Sequence, residues 1–568
     1  MSGTSSFVQL GKTVANHAHF VQGLRDDELK GLNVLFINMP LRESARPNVA
    51  PEGPAILAAR LKSFGAQTSI LDLNSYRIVD ADAIVRNLPY GRHLTYDEAA
   101  RYLEDHVNKF GTPHMVAFSG IITTLRWQEE MAKAVKKRIP DCFLVSGNGL
   151  ATEIKSGLFN WIPELDAIGR SEGDDIILKI AHDAIARQNG RKVFQGTKVG
   201  EIDGNPKLLY EGARPNELDS LPYADWSLLQ EDVYGTNILE QYLSVPVWGL
   251  AANNSSATPF SMTRSLTTVS SRGCPYACAF CYRGAMGERN YGMRSAENVA
   301  AQMKYYIDEY GVDFIGFVDD NFAVDKRRIA KLPEVFKSYG ADIRWGTHTR
   351  MDEADERAYQ MAEAGCIYIG FGAESAHETI LTRMKKGGFI LRGGLVETIV
   401  RGRSYQFPKT MVDAVLNCHE AAIHANCTWI AGYPGETLEQ LQTSVAFITW
   451  QQDIIDTGKI INNNGYTNSR DAINRKMFTA TAYPGTAMFK DPYVRKQLTE
   501  HFGITYDDNG DPLCDENFHH YVLELDDATK VLASKDGHYL NFSAMTDKKF
   551  MKTRDLINAD EVEKILEL

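Results

Sequence analysis

The chain has 568 residues, a formal net charge of −12, and 44% hydrophobic and 24% charged residues. At roughly 100–200 residues per domain it holds more than one domain, and it has none of the compositional marks of a disordered, collagen-like or disulfide-stapled protein. The negative charge argues against a broad nucleic-acid footprint. No apolar run reaches the ~20 residues of a bilayer span, and Met1 to Lys30 lacks the apolar segment of a secretory signal, so a soluble, cytoplasmic protein is expected.

Residues 1–30 read as a leader or cap. The run Leu32–Asn38 is almost continuously apolar, as in a parallel strand covered on both faces. A helix over Ala55–Lys62, closed by Gly65, and a strand over Thr68–Asp72 complete a βαβ unit. Further strands are predicted at Met115–Gly120, Phe143–Gly147 and Asp166–Gly169, with a helix over Gln128–Arg138, a glycine-bearing turn at Gly147-Asn-Gly149 and a loop at Ser171–Asp174. This alternation implies a Rossmann-like, doubly wound parallel sheet over residues 31–190. Residues 191–262, with Leu221-Pro-Tyr-Ala-Asp-Trp226 and the polar stretch Ala251–Ala257, read as a linker. A second alternation begins at Thr267. Its predicted strands are Thr267–Ser271, Phe314–Asp320, Asp342–Thr349, Cys366–Ser375, Cys427–Pro434 and Lys476–Tyr483. Helices are predicted at Ala296–Tyr310, Glu353–Ala364 with Gly365 as C-cap, and Thr437–Ile454. Six such repeats over 263–490 suit a partial (β/α)6 barrel, whose chemistry gathers at the carboxyl ends of the strands. Residues 491–568 form a small α+β extension that could lie over the barrel mouth as a lid.

Five of the eight cysteines (Cys142, Cys366, Cys418, Cys427 and Cys514) are scattered and read as small buried apolar residues. The other three fall within Ser270-Ser-Arg-Gly-Cys274-Pro-Tyr-Ala-Cys278-Ala-Phe-Cys281-Tyr282, directly after the first barrel strand. Three thiolates on one loop can converge on one metal centre. Structural zinc wants four ligands, commonly as two separated pairs, and no second pair lies nearby. A cubane iron–sulfur cluster normally takes four cysteines; with three, one iron stays open to an exogenous ligand.

This loop, with Phe280 before its last cysteine, resembles the signature of the radical S-adenosylmethionine (SAM) superfamily. The resemblance implies that Cys274, Cys278 and Cys281 ligate a [4Fe–4S] cluster. In that family the cluster reductively cleaves SAM to a 5′-deoxyadenosyl radical, with electrons from a reductant such as flavodoxin or ferredoxin. It also implies SAM-binding roles for other strand-end residues. These are Asp319, Asp320 and Asn321 in Val318-Asp-Asp-Asn321, Glu374 and Ser375 in Gly372-Ala-Glu374-Ser375, Gly432 in Gly432-Tyr-Pro-Gly-Glu-Thr437, and Arg350 in Thr347-His-Thr-Arg350. The family's common Gly-Gly-Glu form is absent after the second strand, and Tyr483-Pro-Gly-Thr486 ends the sixth.

A doubly wound domain before such a barrel, joined through Leu-Pro-x-x-Asp-Trp, resembles the cobalamin-binding radical SAM subfamily. Its softer markers are Pro51–Ala59, Ser119-Gly120, Gly147-Asn-Gly149 and Gly169-Arg-Ser-Glu-Gly173, the last departing from Gly-Glu-Gly-Glu. The resemblance implies cobalamin at the strand ends near Ser119, Gly120, Gly147, Gly149 and Gly169, where small residues let a ligand approach the backbone. No Asp-x-His-x-x-Gly motif occurs, so cobalt is expected to have no protein histidine ligand. The leading expectation is a methyltransferase acting on an unactivated carbon or a phosphorus of a small molecule. The alternatives are a cyclase or oxidoreductase of the same architecture, or a non-catalytic cobalamin or SAM sensor. No second cysteine triplet supports a methylthiotransferase. The segment Gly387–Thr410, with Arg392, Arg401 and Arg403, reads as a long solvated loop.

Overall fold

The computed structural model describes residues 28–568 apart from 44–45, 192, 216, 245–261, 283–290, 458–460, 463–465, 468–476, 527–531, 533–536 and 538. Most of the leader, the stretch Ala251–Ala257 and Lys476 therefore lie outside the described residues. The chain divides into two compact units, one from the described part of Met1–Tyr242 with Cys514–Asp527, the other from Leu243–Leu513 with Ala528–Leu568. No helix among the described residues is long and apolar enough to cross a membrane.

The first unit is built on a seven-stranded sheet. Five parallel strands run in the order Gln67–Asp72, Asn33–Asn38, Met115–Ser119, Phe143–Gly147, Ala167–Arg170. Val34, Leu35, Phe36, Ile37, Val116, Leu144 and Ile168 are buried, as strands covered on both faces require. The chain leaves Asn33–Asn38 for one neighbour and returns on its other side at Met115–Ser119, so the topological switch point falls between these two strands. The helix Tyr96–Phe110 starts with a capping box between Thr95 and Glu98.

Two features of this unit were not expected. Residues 197–211, assigned to a linker by sequence, form a hairpin of Thr197–Ile202 and Asn205–Glu211 that completes the sheet beside Ala167–Arg170. The mostly exposed first strand has no apolar alternation to announce it. The turn expected at Gly147-Asn-Gly149 is instead the start of a helix, Asn148–Ile154, entered through Asn148 at φ 69°.

The second unit holds a six-stranded, all-parallel sheet. Its strands, in both chain and spatial order, are Ser265–Thr268, Phe314–Phe317, Arg344–Thr349, Cys366–Glu374, His424–Ala431 and Met477–Thr479. This is the expected partial barrel. Most of its strands are shorter than predicted, because polar residues at their ends belong to the loops, and the fifth starts three residues earlier, at His424 rather than Cys427. Ser295 caps the helix Ala296–Tyr310, and Gly311 ends it at φ 62°. Phe317, Phe322, Phe336 and Trp345 form a buried aromatic core with centroids 5.2–6.2 Å apart.

The segment predicted as a loop at 387–410 contains an antiparallel hairpin, Leu395–Val400 with Arg403–Pro408. Arg401 at φ 48° and Gly402 at φ 77° make its two-residue tip, the conformation that matches strand twist. Among its described residues the extension from Asp491 is mainly helical, with a β-bridge between Tyr506 and Pro512 and another bridge residue at Tyr539. Its helix Asp547–Asn558 packs Phe550 against Gly432, where an added Cβ would lie 2.5 Å from the ring.

Candidate active site

The cysteine loop leaves the first barrel strand and is pinned from several sides. Gly273 donates its backbone N–H to Asp320 (3.0 Å). Ala279 donates to the Met384 carbonyl and accepts from the Met488 N–H, both at 2.8 Å. At the root of the loop, buried Asp319 accepts from the Ser270 backbone and hydroxyl (2.7 Å each) and from the Ser271 hydroxyl (2.5 Å). Arg328 reaches Ser270 Oγ at 2.9 Å. Asp319 is thus spent on holding the loop. Asn321, fully buried, is the member of the Asp-Asp-Asn stretch turned toward the thiols, with Nδ2 3.9 Å from Cys274 Sγ.

Behind Asn321 lies a closed polar network. Glu353 accepts from Asn321 Nδ2 (3.1 Å), Thr349 Oγ1 (2.7 Å) and the Tyr276 hydroxyl (2.9 Å). The Thr349 hydroxyl also lies 2.7 Å from Asn321 Oδ1, so its one proton is shared between the two acceptors. A buried network of this kind restricts the rotamers of its members. Buried Arg350 donates to Asp352 (2.9 Å) and the Lys386 carbonyl (3.3 Å). Its Nη1 lies 3.7 Å from Cys278 Sγ, and its guanidinium 3.9 Å from the Tyr276 ring centre.

Glu374 ends the fourth strand at φ 67°, a strained position for a non-glycine residue. Buried Lys386 pairs with it at 3.4 Å and stands 5.9 Å from the Phe280 ring centre. Burial pushes the Glu374 carboxyl up, and the Lys386 charge opposes that shift. Ser375 is turned away from this group. Its hydroxyl accepts from the His377 N–H (3.1 Å) and lies 3.4 Å from Ser444 Oγ. In the turn after the fifth strand, Gly432 donates its N–H to buried Glu436 (2.7 Å). Burial pushes the Glu436 carboxyl up to about 8. The structure thus places Asn321, Arg350, Phe280 and Glu374 around the cysteine loop, uses Asp319, Asp320 and Ser375 to brace it or its surroundings, and packs Phe550 on Gly432. Sequence reasoning missed Tyr276, Thr349, Glu353 and Lys386. Tyr276 was visible inside the motif; nothing local in the sequence marks the other three.

The donor set fits a [4Fe–4S] cluster. The three cysteines are partly buried. Burial first, and then the neighbouring thiols, push the Cys274 thiol up to about 11. It therefore stays protonated until a metal displaces its proton. Among the described residues no three His, Cys, Asp or Glu side chains are grouped to hold a single metal ion. A cubane instead takes each thiolate on a different iron.

At the strand ends of the first unit, Ser119 lies in register with Gly147, and a Cβ on Gly147 would be 4.0 Å from the Gly169 carbonyl. Three adjacent strands therefore carry a row of small residues at or one short of their carboxyl ends. Only Gly147 is open, for an added Cβ meets nothing closer than 3.9 Å. The space at Gly120 is taken by Thr124 and Gln128, and that at Gly169 by Ile176. Gly149 is buried in the following helix, its N–H bound to Asn148 Oδ1 at 2.8 Å. The residues present fit a bulky ligand over Gly147, with the other glycines serving internal packing.

Residues 268–448 match the radical SAM superfamily. The chain is 25% identical over 466 residues to an uncharacterized methyltransferase of Pyrococcus horikoshii, covering 81% of this chain and 83% of the relative. It is 23% identical to the anaerobic magnesium-protoporphyrin IX monomethyl ester cyclase of Cereibacter sphaeroides, over 74% of this chain and 61% of the cyclase. The fold is similar to that of the radical SAM methyltransferase TsrM of Kitasatospora setae, solved with cobalamin and a [4Fe–4S] cluster bound. That TM-score is 0.54, at 16% identity, over 82% of this chain and 75% of the other. The chain is a radical SAM enzyme, and its barrel is the domain of that superfamily.

Proposed function

We propose that the protein is a cobalamin-dependent radical SAM methyltransferase of a small-molecule substrate. The observation that carries this is the cysteine loop, held by a buried polar network, in a chain that also bears a doubly wound unit with small residues at its strand ends. Cys274, Cys278 and Cys281 would hold the cluster, which supplies reductive cleavage of SAM to a carbon radical. Asn321, Arg350, Glu374, Lys386 and Phe280 would orient SAM beside it. The Lys386–Glu374 pair offers one charge of each sign to a zwitterionic amino acid group. Gly147, between Ser119 and Gly169, would lie under the corrin, which supplies the methyl group. No protein histidine would ligate its cobalt. The receiving atom is an unactivated carbon or a phosphorus, and the reducing electron comes from a low-potential protein in the cytoplasm.

Reconstituted protein incubated with methyl-labelled SAM, hydroxocobalamin and a panel of natural-product and lipid precursors should release 5′-deoxyadenosine and transfer label to one of them. Release without any mass gain of one CH₂ would favour the second reading, a cyclase or oxidoreductase, which the similarity to the cyclase supports. Failure to form 5′-deoxyadenosine under strong reductant would favour a sensor.

A further inference from the structure

The chain is acidic overall, yet the segment between Arg383 and Lys409 holds a single acid, Glu397, among seven lysines and arginines. Arg383, Lys385, Arg392, Arg401 and Arg403 are exposed. Lys385 and Arg392 make no ion pair among the described residues, so their charge faces water. Lys385 also sits at φ 54°, where glycine would cost less. Backbone conformation therefore does not explain why lysine stands there.

This face is joined to the cysteine loop by short contacts. Met384, between Arg383 and Lys385, accepts the Ala279 N–H at 2.8 Å. Phe389, 43% exposed, packs edge-on against Tyr276 of the loop, with centroids 5.5 Å apart at 84°. Arg392 covers the outer ring, its guanidinium 4.0 Å from the Phe389 centre. Arg350 covers Tyr276 in the same manner and reaches Cys278 Sγ. A solvent-accessible aromatic ring covered by one cation, Arg392, thus packs directly on Tyr276, the residue between Cys274 and Cys278.

Resting on the reading that these cysteines hold a cluster, we propose that Lys385, Arg392 and Phe389 form the docking surface for an acidic one-electron donor protein of the flavodoxin or ferredoxin class. The step is the transfer of one electron from the reduced donor to the cluster; no bond is made or broken and no proton moves. The charge balance requires such a local surface. A donor of negative charge is repelled by a chain of net charge −12, but at about 0.1 M salt charges beyond ~10 Å are screened, so the nearest cations decide the encounter.

The test uses the full-length, reconstituted enzyme and reduced flavodoxin, with the bleaching of the cluster absorption followed by stopped flow. The variant is Lys385→Glu/Arg392→Glu, which spares Arg383 because that side chain also bonds the Gly435 carbonyl at 2.7 Å. Lys198→Glu, on the exposed hairpin of the first unit, is the control. The expected result is a rate with flavodoxin roughly tenfold or more below wild type for the double variant at low salt. The wild-type rate should fall similarly as salt rises, and the rate with dithionite should be unchanged in every protein. A double variant with the wild-type flavodoxin rate overturns the proposal, as does a parallel loss with dithionite, which would make the pair structural. An unchanged flavodoxin rate with a raised KM for substrate would assign the face to an anionic small molecule instead. A wild-type protein with no dithionite-reducible cluster would overturn the parent reading, and would be seen before any variant is compared.

Discussion

At the carboxyl end of the barrel, three thiols, an amide, a guanidinium and a buried Lys–Glu pair converge through side chains. At the carboxyl end of the first sheet, the candidate site consists of what side chains leave out: Gly147, where an added Cβ meets nothing closer than 3.9 Å, with Ser119 and Gly169 beside it. The two kinds of site leave different traces. A thiol triplet is chemically specific, so its spacing alone restricts what can bind. A glycine can serve a ligand, a turn or a neighbouring helix, and only the space around it tells which. Gly120 and Gly147 look alike in sequence, yet the one is filled from within by Thr124 and Gln128 and the other is not.

That contrast can be broken most sharply at the thiols. Replacing any one of Cys274, Cys278 or Cys281 with alanine should abolish the cluster absorption and reduce 5′-deoxyadenosine formation to background, while cobalamin retention by the first unit persists. Loss of both together would mean that the two regions are not separate binding devices. The next effect separates the glycines. Gly147→Trp should abolish cobalamin retention, read from the corrin absorption after gel filtration, and leave 5′-deoxyadenosine formation in place. Gly120→Ala should do the reverse of a binding lesion. Its Cβ would meet Thr124 Oγ1 at 2.2 Å, costing about 1–3 kcal/mol of overpacking and lowering Tm, whereas Gly147→Ala should leave Tm unchanged.

The smallest effect concerns the turn under the C-terminal helix. Burial holds the Glu436 carboxyl up at about 8, above its ordinary value of 4.5. The native state therefore keeps a proton that the unfolded chain releases. The stability this confers is complete below the ordinary carboxyl range and is lost as pH rises through about 8. Between about pH 5 and pH 9, Tm of the wild type should fall more steeply than that of Glu436→Gln. Equal slopes would show that Glu436 is not the titrating group.

The legible parts of this protein were those set by local rules. Near-continuous apolar runs gave the parallel strands, Gly311 and Gly365 ended their helices at positive φ, and the cysteine spacing marked the loop on which the candidate site is built. The hairpin at 197–211 was hidden, because its first strand is exposed on an edge and carries no apolar alternation. The hairpin at 395–408 was hidden among arginines that read as a solvated loop. Asp319 and Ser375 matched a family pattern by position, but their hydrogen bonds show them bracing the backbone.

The sequence by itself determined the chemistry that this chain can perform, because three thiolates within eight residues need no long-range contact to converge. The tertiary structure alone decided which polar groups surround them. Asn321, Thr349, Glu353 and Lys386 come from three different strand ends, and such groups meet only when a parallel sheet brings its carboxyl edges together. The same holds for Phe389 against Tyr276, more than a hundred residues apart, and for the space over Gly147, which no residue type can announce.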